Sequence, residues 1–363
     1  MTFSAFDNPM LGALLGDEEI GAFFTFEADL TAMLAFEAAL ARAEAAQGLI
    51  PAEAADAISQ ACGHFVPNRS DLAAGVARDG VVAPTLIAQL RAAVGDPHAR
   101  HVHRGATSQD VIDTSLTLRL KGVCDVLDRR LAALIPSLGE LDARDGAIPL
   151  MGRTRMQRAL PITAHDKLRA WTEPLKRHRE RLAALSPRLL VVQFGGAVGV
   201  RRDLDGKGDA VAADLARALG LTNAPCWQVE RDAIGEFASW LSLVCGSLGK
   251  IGQDAALMAQ NEIGEISLTG GGGSSAMPHK SNPVGAEVLV ALARFAAGQA
   301  GTLHQALVAE NERSGAAWTL EWLTLPPLVG ATGAALRHAA TLCGGLRFRD
   351  APPTSPTPPT NRL

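Results

Sequence analysis

The sequence predicts an all-α protein, a bundle of long helices with a smaller helical domain at its N-terminus. Three observations carry this reading. The composition is 47% hydrophobic but only 4% aromatic, with no tyrosine, and the dominance of alanine and leucine favours helix over strand. Two stretches repeat apolar residues at steps of three and four for many turns. Apart from a short apolar run at 189–193, no stretch alternates apolar and polar residues as a half-buried strand does. A chain of 363 residues accommodates one large core or two to three domains. We expect an N-terminal helical domain over 1–105, a bundle over 106–345 and a proline-rich tail over 346–363.

Taken in order, the opening "MTFSAFDNPMLGALLGDEE" has no basic region before its apolar residues and soon meets Asp17, Glu18 and Glu19, so it does not read as a secretory signal. Shorter helices are expected over 27–47 and 51–62. In "HVHRGATSQDVIDTS" (101–115), Thr107 or Ser108 caps a helix starting near Gln109. Taken alone this is an ordinary cap. The amides of such a helix start also favour an anion, and His101, His103 and Arg104 directly upstream shift the reading that way. From Ile112 the seam runs through Leu116, Leu120, Val123, Leu127, Leu131, Leu134, Leu138 and Leu141, a helix roughly 45 Å long at 1.5 Å per residue.

"MGRTRMQRALPIT" (151–163) concentrates Arg153, Arg155 and Arg158. It is either a solvated basic turn or a place where guanidinium groups hold carboxylates bidentately. Helices follow over 163–185 and 206–219. Between them, "VVQFGGAVGV" (191–200) lacks the GxGxxG nucleotide fingerprint and reads as a tightly packed turn. Ile234, Phe237, Leu241, Val244, Leu248, Ile251, Ala255 and Met258 form the second long seam, and further helices are expected over 285–310 and 317–340. Helices this long need partners along their whole seam, so a bundle completed by other subunits is expected. A simple coiled-coil rod would not need the Gly- and Pro-rich interruptions at 100–109, 146–163, 193–199 and 270–283.

The last of these, "GGGGSSAMPHKSNP" (270–283), begins like a linker and ends with Met277-Pro278, Lys280 and Asn282-Pro283. A serine hydroxyl is barely acidic in water. Backbone amides of a glycine-rich turn and a nearby ammonium can stabilise its alkoxide, and Ser274 and Lys280 supply those parts on a segment able to close over substrate. On these grounds alone, a hinge and a catalytic loop are about equally supported.

The bulk properties exclude several classes. A net charge of −4 is not the footprint of a nucleic-acid-binding protein. No uncharged apolar run reaches the roughly 20 residues of a membrane span. Cys62, Cys124, Cys226, Cys245 and Cys343 are scattered without a CxxC pair. They fit buried thiols in a reducing cytoplasm and indicate neither a zinc site nor a disulfide frame.

"GSSAMPHKSNP" (273–283) resembles the GSSxMPxKxNP signature loop of the fumarase/aspartase superfamily. "GATSQDVIDTS" (105–115) resembles that superfamily's first substrate-binding region, and "GRTRMQRALPIT" (152–163) its second, GRTHxQxAxPxT. The likeness extends from about residue 7 to 345. It implies a homotetramer with a central helical bundle, active sites built from three chains, and elimination or addition β to a carboxylate. Neither metal nor organic cofactor is implied. By the resemblance, Ser274 is the catalytic base and Lys280 a catalytic cation. Lys280 and Asn282 would bind a substrate carboxylate and its aci-form, and Thr107 and Ser108 would hold another carboxylate.

The second region departs from the pattern, since Arg155 stands where histidine is expected. Arginine does not act as an acid near neutral pH, so the leaving group should need no proton. Carboxylate meets that requirement, its conjugate acid having a pKa near ~4, and Arg155 would stabilise it by charge. The superfamily's branch with this chemistry is the 3-carboxy-cis,cis-muconate cycloisomerases, acting on a tricarboxylate in aromatic degradation. "MLAFEAALARAEAAQGLIP" (33–51), "HVHRGATSQDVIDTSL" (101–116) and "ENERSGAAWTLEWLTLPPL" (310–328) resemble the same branch. Arg313 and His103 lie in these segments and are candidate substrate contacts. Adenylosuccinate lyases carry His-Asp-Val-Val-Ala before the first region, whereas "RDGVVAP" (78–84) has Asp79 at that histidine's place, which disfavours that branch. The alternatives are a lyase releasing fumarate from a succinyl-amine and an inactive structural member of the superfamily. The small C-terminal helical domain usual in the superfamily is expected to be absent or vestigial.

Overall fold

The computed structural model describes residues 4–202, 204–269, 272–273 and 281–350. Twelve α-helices occur among them: α1 (Gly12–Leu15), α2 (Glu18–Gly21), α3 (Phe26–Ala46), α4 (Ala52–His64), α5 (Arg69–Asp79), α6 (Ala83–Val94), α7 (Ser108–Asp145), α8 (Ala164–Leu189), α9 (Gly208–Leu219), α10 (Asp232–Met258), α11 (Val284–His304) and α12 (Gly315–Gly345). The strands are short and pair two by two: β1 (Pro149–Thr154) with β2 (Gln157–Thr163), β3 (Ile266–Leu268) with β6 (Leu346–Phe348), and β4 (Gly272–Gly273) with β5 (Ser281–Asn282), all antiparallel. The fold is all-α, as the sequence predicts.

The two long seams are the spine of one core. Leu120, Leu127, Leu131 and Leu138 of α7 and Phe237, Leu241, Val244, Leu248 and Ile251 of α10 are fully buried in a single apolar cluster shared with α8, α11 and α12. Helices α10 and α11 run antiparallel and unusually close. A Cβ on Gly249 would lie 2.5 Å from the Cβ of Ala293, and one on Gly252 only 2.5 Å from the Ala286 carbonyl, so glycine is required at both contacts. No helix among the described residues is long and apolar enough to cross a membrane.

The bundle has two distinct ends. At one, the C-termini of α7 and α12 meet the segment after α10: Asp145 accepts from the Phe348 amide at 2.9 Å and Arg144 donates to the Leu346 carbonyl at 2.9 Å. The other end gathers the N-termini of α7, α10 and α12. Helix α7 has 38 residues, so the ends are separated by about 57 Å at 1.5 Å per residue.

Three local features depart from the sequence reading. Helices α5 and α6 were not expected; only Leu72 and Gly75 are buried in α5, too few to leave a periodic signal. The basic segment 151–163 lies in a hairpin rather than a bare turn, and β2 is exposed over five consecutive residues, which hides strand alternation. The apolar run 189–193 holds the last residue of α8 and one parallel bridge from Val191 to Thr222.

Helix α3 packs between the N-terminal helices and α9, with apolar clusters on both sides, and buries two acids. Glu37 bonds His103, but neither oxygen of the fully buried Glu44 has a hydrogen-bond partner among the described residues. Burial pushes the Glu44 carboxyl up to about 8; Arg104 opposes this and Glu37 adds to it. The folded chain therefore holds a proton that the unfolded chain releases near 4.5, so the stability it confers is complete below about 4.5 and lost as pH rises through about 8. Glu44→Gln keeps the shape without the titration. It is expected to flatten the fall of Tm from pH 5 to 8 and to raise Tm at pH 8 by about 2–4 °C. A Tm–pH slope identical to that of the unaltered protein would show that Glu44 ionises normally.

Candidate active site

The N-terminus of α7 is the best-defined polar centre. Thr107 is its N-cap and forms a capping box with Asp110, whose carboxylate accepts from the Thr107 amide at 3.0 Å. The Thr107 hydroxyl oxygen is turned toward the Asp110 amide in that box and also accepts from Arg313 Nη2 at 2.8 Å. Accepting from Arg313, the hydroxyl has its own proton left to offer. Ser108, the first helical residue, is half-buried beside it, and the first-turn amides have no intrahelical acceptor. Arg313 arrives on the α11–α12 connector, is exposed, and also donates to the Ala197 carbonyl at 3.1 Å. Thr107, Ser108 and Arg313 thus form one corner rich in outward-facing donors, suited to a carboxylate.

Behind this corner lies a buried ionic cluster. Arg231, just before α10, donates to Asp113 of α7 at 2.6 and 3.3 Å and to Glu321 of α12 at 2.8 Å. Trp318 Nε1 donates to Asp113 at 3.0 Å, Gln109 Nε2 to Asp113 at 3.1 Å, and the Arg231 guanidinium lies 4.5 Å from the Trp227 ring centre. Arg231, Asp113 and Glu321 are all at most 4% exposed. Burial raises the Glu321 carboxyl above its ordinary value despite Arg231. This cluster locks three helix starts together; sequence reading missed it because its members are 90 and 118 residues apart, with no local signature. Beside it a cleft of about 310 Å³ opens between the α5–α6 turn and α12, with Val81, Val82, Ile112, Arg119 and Trp322 in its wall. Asp79, which stands where a related lyase branch has histidine, is held by the neighbouring Arg78 at 2.8 and 2.7 Å.

The other predicted residues are placed elsewhere. His103 turns into the N-terminal core, where Nδ1 lies 2.6 Å from Glu37 Oε1 and its side chain is 12% exposed. Burial opposes its charging, but the Glu37 carboxylate outweighs this and raises its pKa. Asn282 pairs in register with Gly272 at the far end of the bundle. It borders a depression of about 700 Å³ shared with Gln260, Glu262, Glu287 and Arg294. Ser274 and Lys280 lie outside the described residues. Arg155 and Met156 form the two-residue tip of the β1–β2 hairpin, closed by the Thr154–Gln157 pair. Both have positive φ, 49° and 65°, the geometry of a type I′ turn usually given to Asn-Gly. Arg153, by contrast, is tied at 2.8 Å to the buried Glu265.

One chain therefore does not bring Thr107 and Arg155 together. Thr107 caps the start of α7, whereas the Arg155 hairpin begins four residues beyond its end, about 57 Å of helix away.

The chain is an elongated helical bundle with a donor-rich helix start at Thr107 and, in its sequence, a glycine-rich segment between two long helices. A lyase family model matches residues 17–298, and the chain belongs to that family. It is similar to the 3-carboxy-cis,cis-muconate cycloisomerase of Pseudomonas aeruginosa, 44% identical over 93% of this chain and 75% of that protein. It also resembles the N-acetyl-S-(2-succino)cysteine lyase of Enterococcus italicus, 36% identical over 95% of this chain and 76% of that one. Among solved structures, the 3-carboxy-cis,cis-muconate lactonizing enzyme of Pseudomonas putida superposes with a TM-score of 0.88 at 41% identity, covering 94% of this chain and 78% of that one.

Removing the cation from the buried cluster would strand two carboxylates. Arg231→Met is expected to cost about 3–5 kcal/mol in urea denaturation. A loss below about 1 kcal/mol would show that Asp113 and Glu321 find other partners.

Proposed function

We propose that the protein is a cycloisomerase that closes 3-carboxy-cis,cis-muconate to 4-carboxymuconolactone. The observation that carries this choice is Arg155 at the exposed tip of a hairpin whose counterpart in the superfamily pattern bears histidine. A fixed guanidinium stabilises a carboxylate nucleophile or leaving group by charge and has no proton to give near neutral pH. The similarity to cycloisomerases over 93% of the chain supports the same substrate.

In the forward direction one substrate carboxylate oxygen forms a C–O bond to an alkene carbon, and the π electrons move toward the adjacent carbon and its carboxylate. Lys280 and Asn282 stabilise that aci-carboxylate. The Ser274 hydroxyl delivers its proton to the adjacent carbon and recovers one from solvent; in reverse, its alkoxide takes the proton back. Thr107, Ser108 and Arg313 bind a remaining carboxylate, and His103 supports the segment leading to them. All of these groups are supplied by the chain itself.

The working unit of this proposal is a homotetramer in which each site draws on several chains. Two features support it. The helix α7 holds Thr107 and the Arg155 hairpin about 57 Å apart, and the hairpin exposes Met156 at 76% and Leu160 at 73%, apolar surface suited to burial against another copy. A cytoplasmic location is part of the proposal; all five cysteines are free thiols, the state a reducing compartment maintains.

Two experiments test this. Purified protein is expected to bleach the ultraviolet absorbance of 3-carboxymuconate as the conjugated diene is lost, with Ser274→Ala slower by roughly two or more orders of magnitude. Release of fumarate from argininosuccinate or adenylosuccinate without ring closure would instead identify a lyase. For the shared site, Thr107→Val and Arg155→Ala should each be nearly inactive, whereas chains co-refolded from a mixture should regain a fraction of normal turnover. Failure of every mixture to recover activity would place both residues in one chain's site.

A further inference from the structure

The glycine-rich turn 193–199 has no role in the mechanism above, yet it is wired to the carboxylate-binding corner through one buried acid. Asp110 is fully buried, and its two oxygens accept four N–H groups. Oδ1 takes the Gly195 amide at 2.8 Å and Gln193 Nε2 at 3.0 Å. Oδ2 takes the Gly196 amide at 2.9 Å and the Thr107 amide at 3.0 Å. The turn is fixed from its other sides as well. The Gln193 amide donates to the Thr114 hydroxyl, which donates to the Gln193 carbonyl, both at 2.9 Å; Gln228 Nε2 donates to the Gly196 carbonyl at 3.0 Å. Gly196 has φ 71°, and a Cβ there would lie 2.9 Å from the Gly105 carbonyl. The turn then presents the Ala197 carbonyl that holds Arg313. Asp110 therefore connects Thr107 directly, and Arg313 through the turn.

We propose that Asp110 is the positioning residue of the carboxylate-binding corner: its ionised carboxylate gathers the Thr107 amide and the 195–196 amides, so that the Thr107 hydroxyl and the Arg313 guanidinium face the same carboxylate. The proposal rests on the carboxylate-binding reading of that corner and adds a group that never touches substrate. Four donors satisfy a carboxylate with two accepting oxygens. A protonated carboxyl has its own O–H on one of them and must release a donor. Burial pushes Asp110 up to about 6, with the bonds from Gly196, Gln193, Thr107 and Gly195 opposing it. The corner is thus assembled above about pH 6 and loosened below it. The charged or titratable groups facing Asp110 are His103, backed by Glu37 on α3, and Cys226, which shares Gln193 and lies near Arg201. Arg313 stands on the far side of Thr107.

Asp110→Asn offers one accepting oxygen and turns an NH₂ toward two of the four donors. The variant is expected to raise KM about tenfold or more, to leave kcat within about threefold, and to flatten the rise of KM below about pH 6 that the proposal expects of the unaltered enzyme. Hydrogen exchange resolved by peptide should quicken in 105–110 and 193–199 while α10 stays protected. An unchanged KM, an unchanged exchange rate in those two segments, or a kcat loss matching the KM change would overturn the proposal. If Asp110→Asn does not fold, exchange in the unaltered protein at pH 5 and 7.5, corrected for intrinsic rates, decides. Selective loss of protection in the two segments at pH 5 supports the proposal, and equal protection overturns it. Gly196→Ala should reproduce the KM effect. The exchange measurement needs no substrate, so a protein that cyclises no tricarboxylate would fail the functional reading while the coupling is still judged.

Discussion

The length of α7 is the constraint from which the rest follows. Its 38 residues form one helix whose apolar seam is buried along the bundle, so it does not bend to bring its ends together. Within one chain α7 keeps the first and second motifs apart, which is why the proposed site draws on apposing copies. The same rigidity makes each end precise: the Arg231 cluster fixes the starts of α7, α10 and α12, and the β3–β6 ladder with Arg144 and Asp145 fixes the opposite end. A helix about twice as long as a small domain is wide thus acts as a ruler between the two motif regions.

At the α7 start, electrostatics and connectivity point the same way. An acid in the first turn complements the helix dipole, and Asp110 does so while buried, which costs desolvation that four N–H donors offset. The deeper cluster carries two acids for one guanidinium, a net negative interior directly behind a corner proposed to take an anion. That arrangement is tolerable because the outward surface consists of donors: the Thr107 hydroxyl, the first-turn amides and Arg313. Ionic clusters of this kind are weak sources of stability but discriminate strongly against misplacement. Here the penalty for misplacement falls on the geometry of the proposed carboxylate-binding corner.

How much of this was legible in the sequence follows from range. The seams of α7 and α10 were readable because each buries a stripe three and four residues apart, and a cap at Thr107 or Ser108 because capping residues act locally. Helix α5 was not, since it buries only Leu72 and Gly75; α6 buries Ala83, Leu86, Ile87 and Leu90 at helical spacing and was overlooked although that signal is present. The hairpin escaped because its exposed β2 lacks alternation and its tip is Arg-Met instead of Asn-Gly. The candidate site residues came from motif resemblance, which periodicity does not supply. The Arg231–Asp113–Glu321 cluster was invisible, since any of its members reads as a surface charge until the fold brings it inside. Asp110 went unread: its bond to Thr107 is local, but nothing local announces that Gly195 and Gly196 occupy its other lone pairs.

The strained tip completes the argument about specificity. Arg155 and Met156 occupy left-handed backbone that non-glycine residues adopt at a cost of about 1 kcal/mol or more each. Such a tip persists where its side chains are wanted, and Asn-Gly would satisfy the turn without either. The β1–β2 ladder and the Arg153–Glu265 pair at its base hold the tip clear of its own chain, with Arg155 and Met156 both exposed. A guanidinium carried on a stiff, protruding hairpin is suited to entering a neighbour's cavity and meeting a carboxylate at fixed distance. A histidine there would have matched a leaving group that needs a proton; arginine matches one that leaves or attacks as an anion, which is the chemical distinction between lactone closure and amine release.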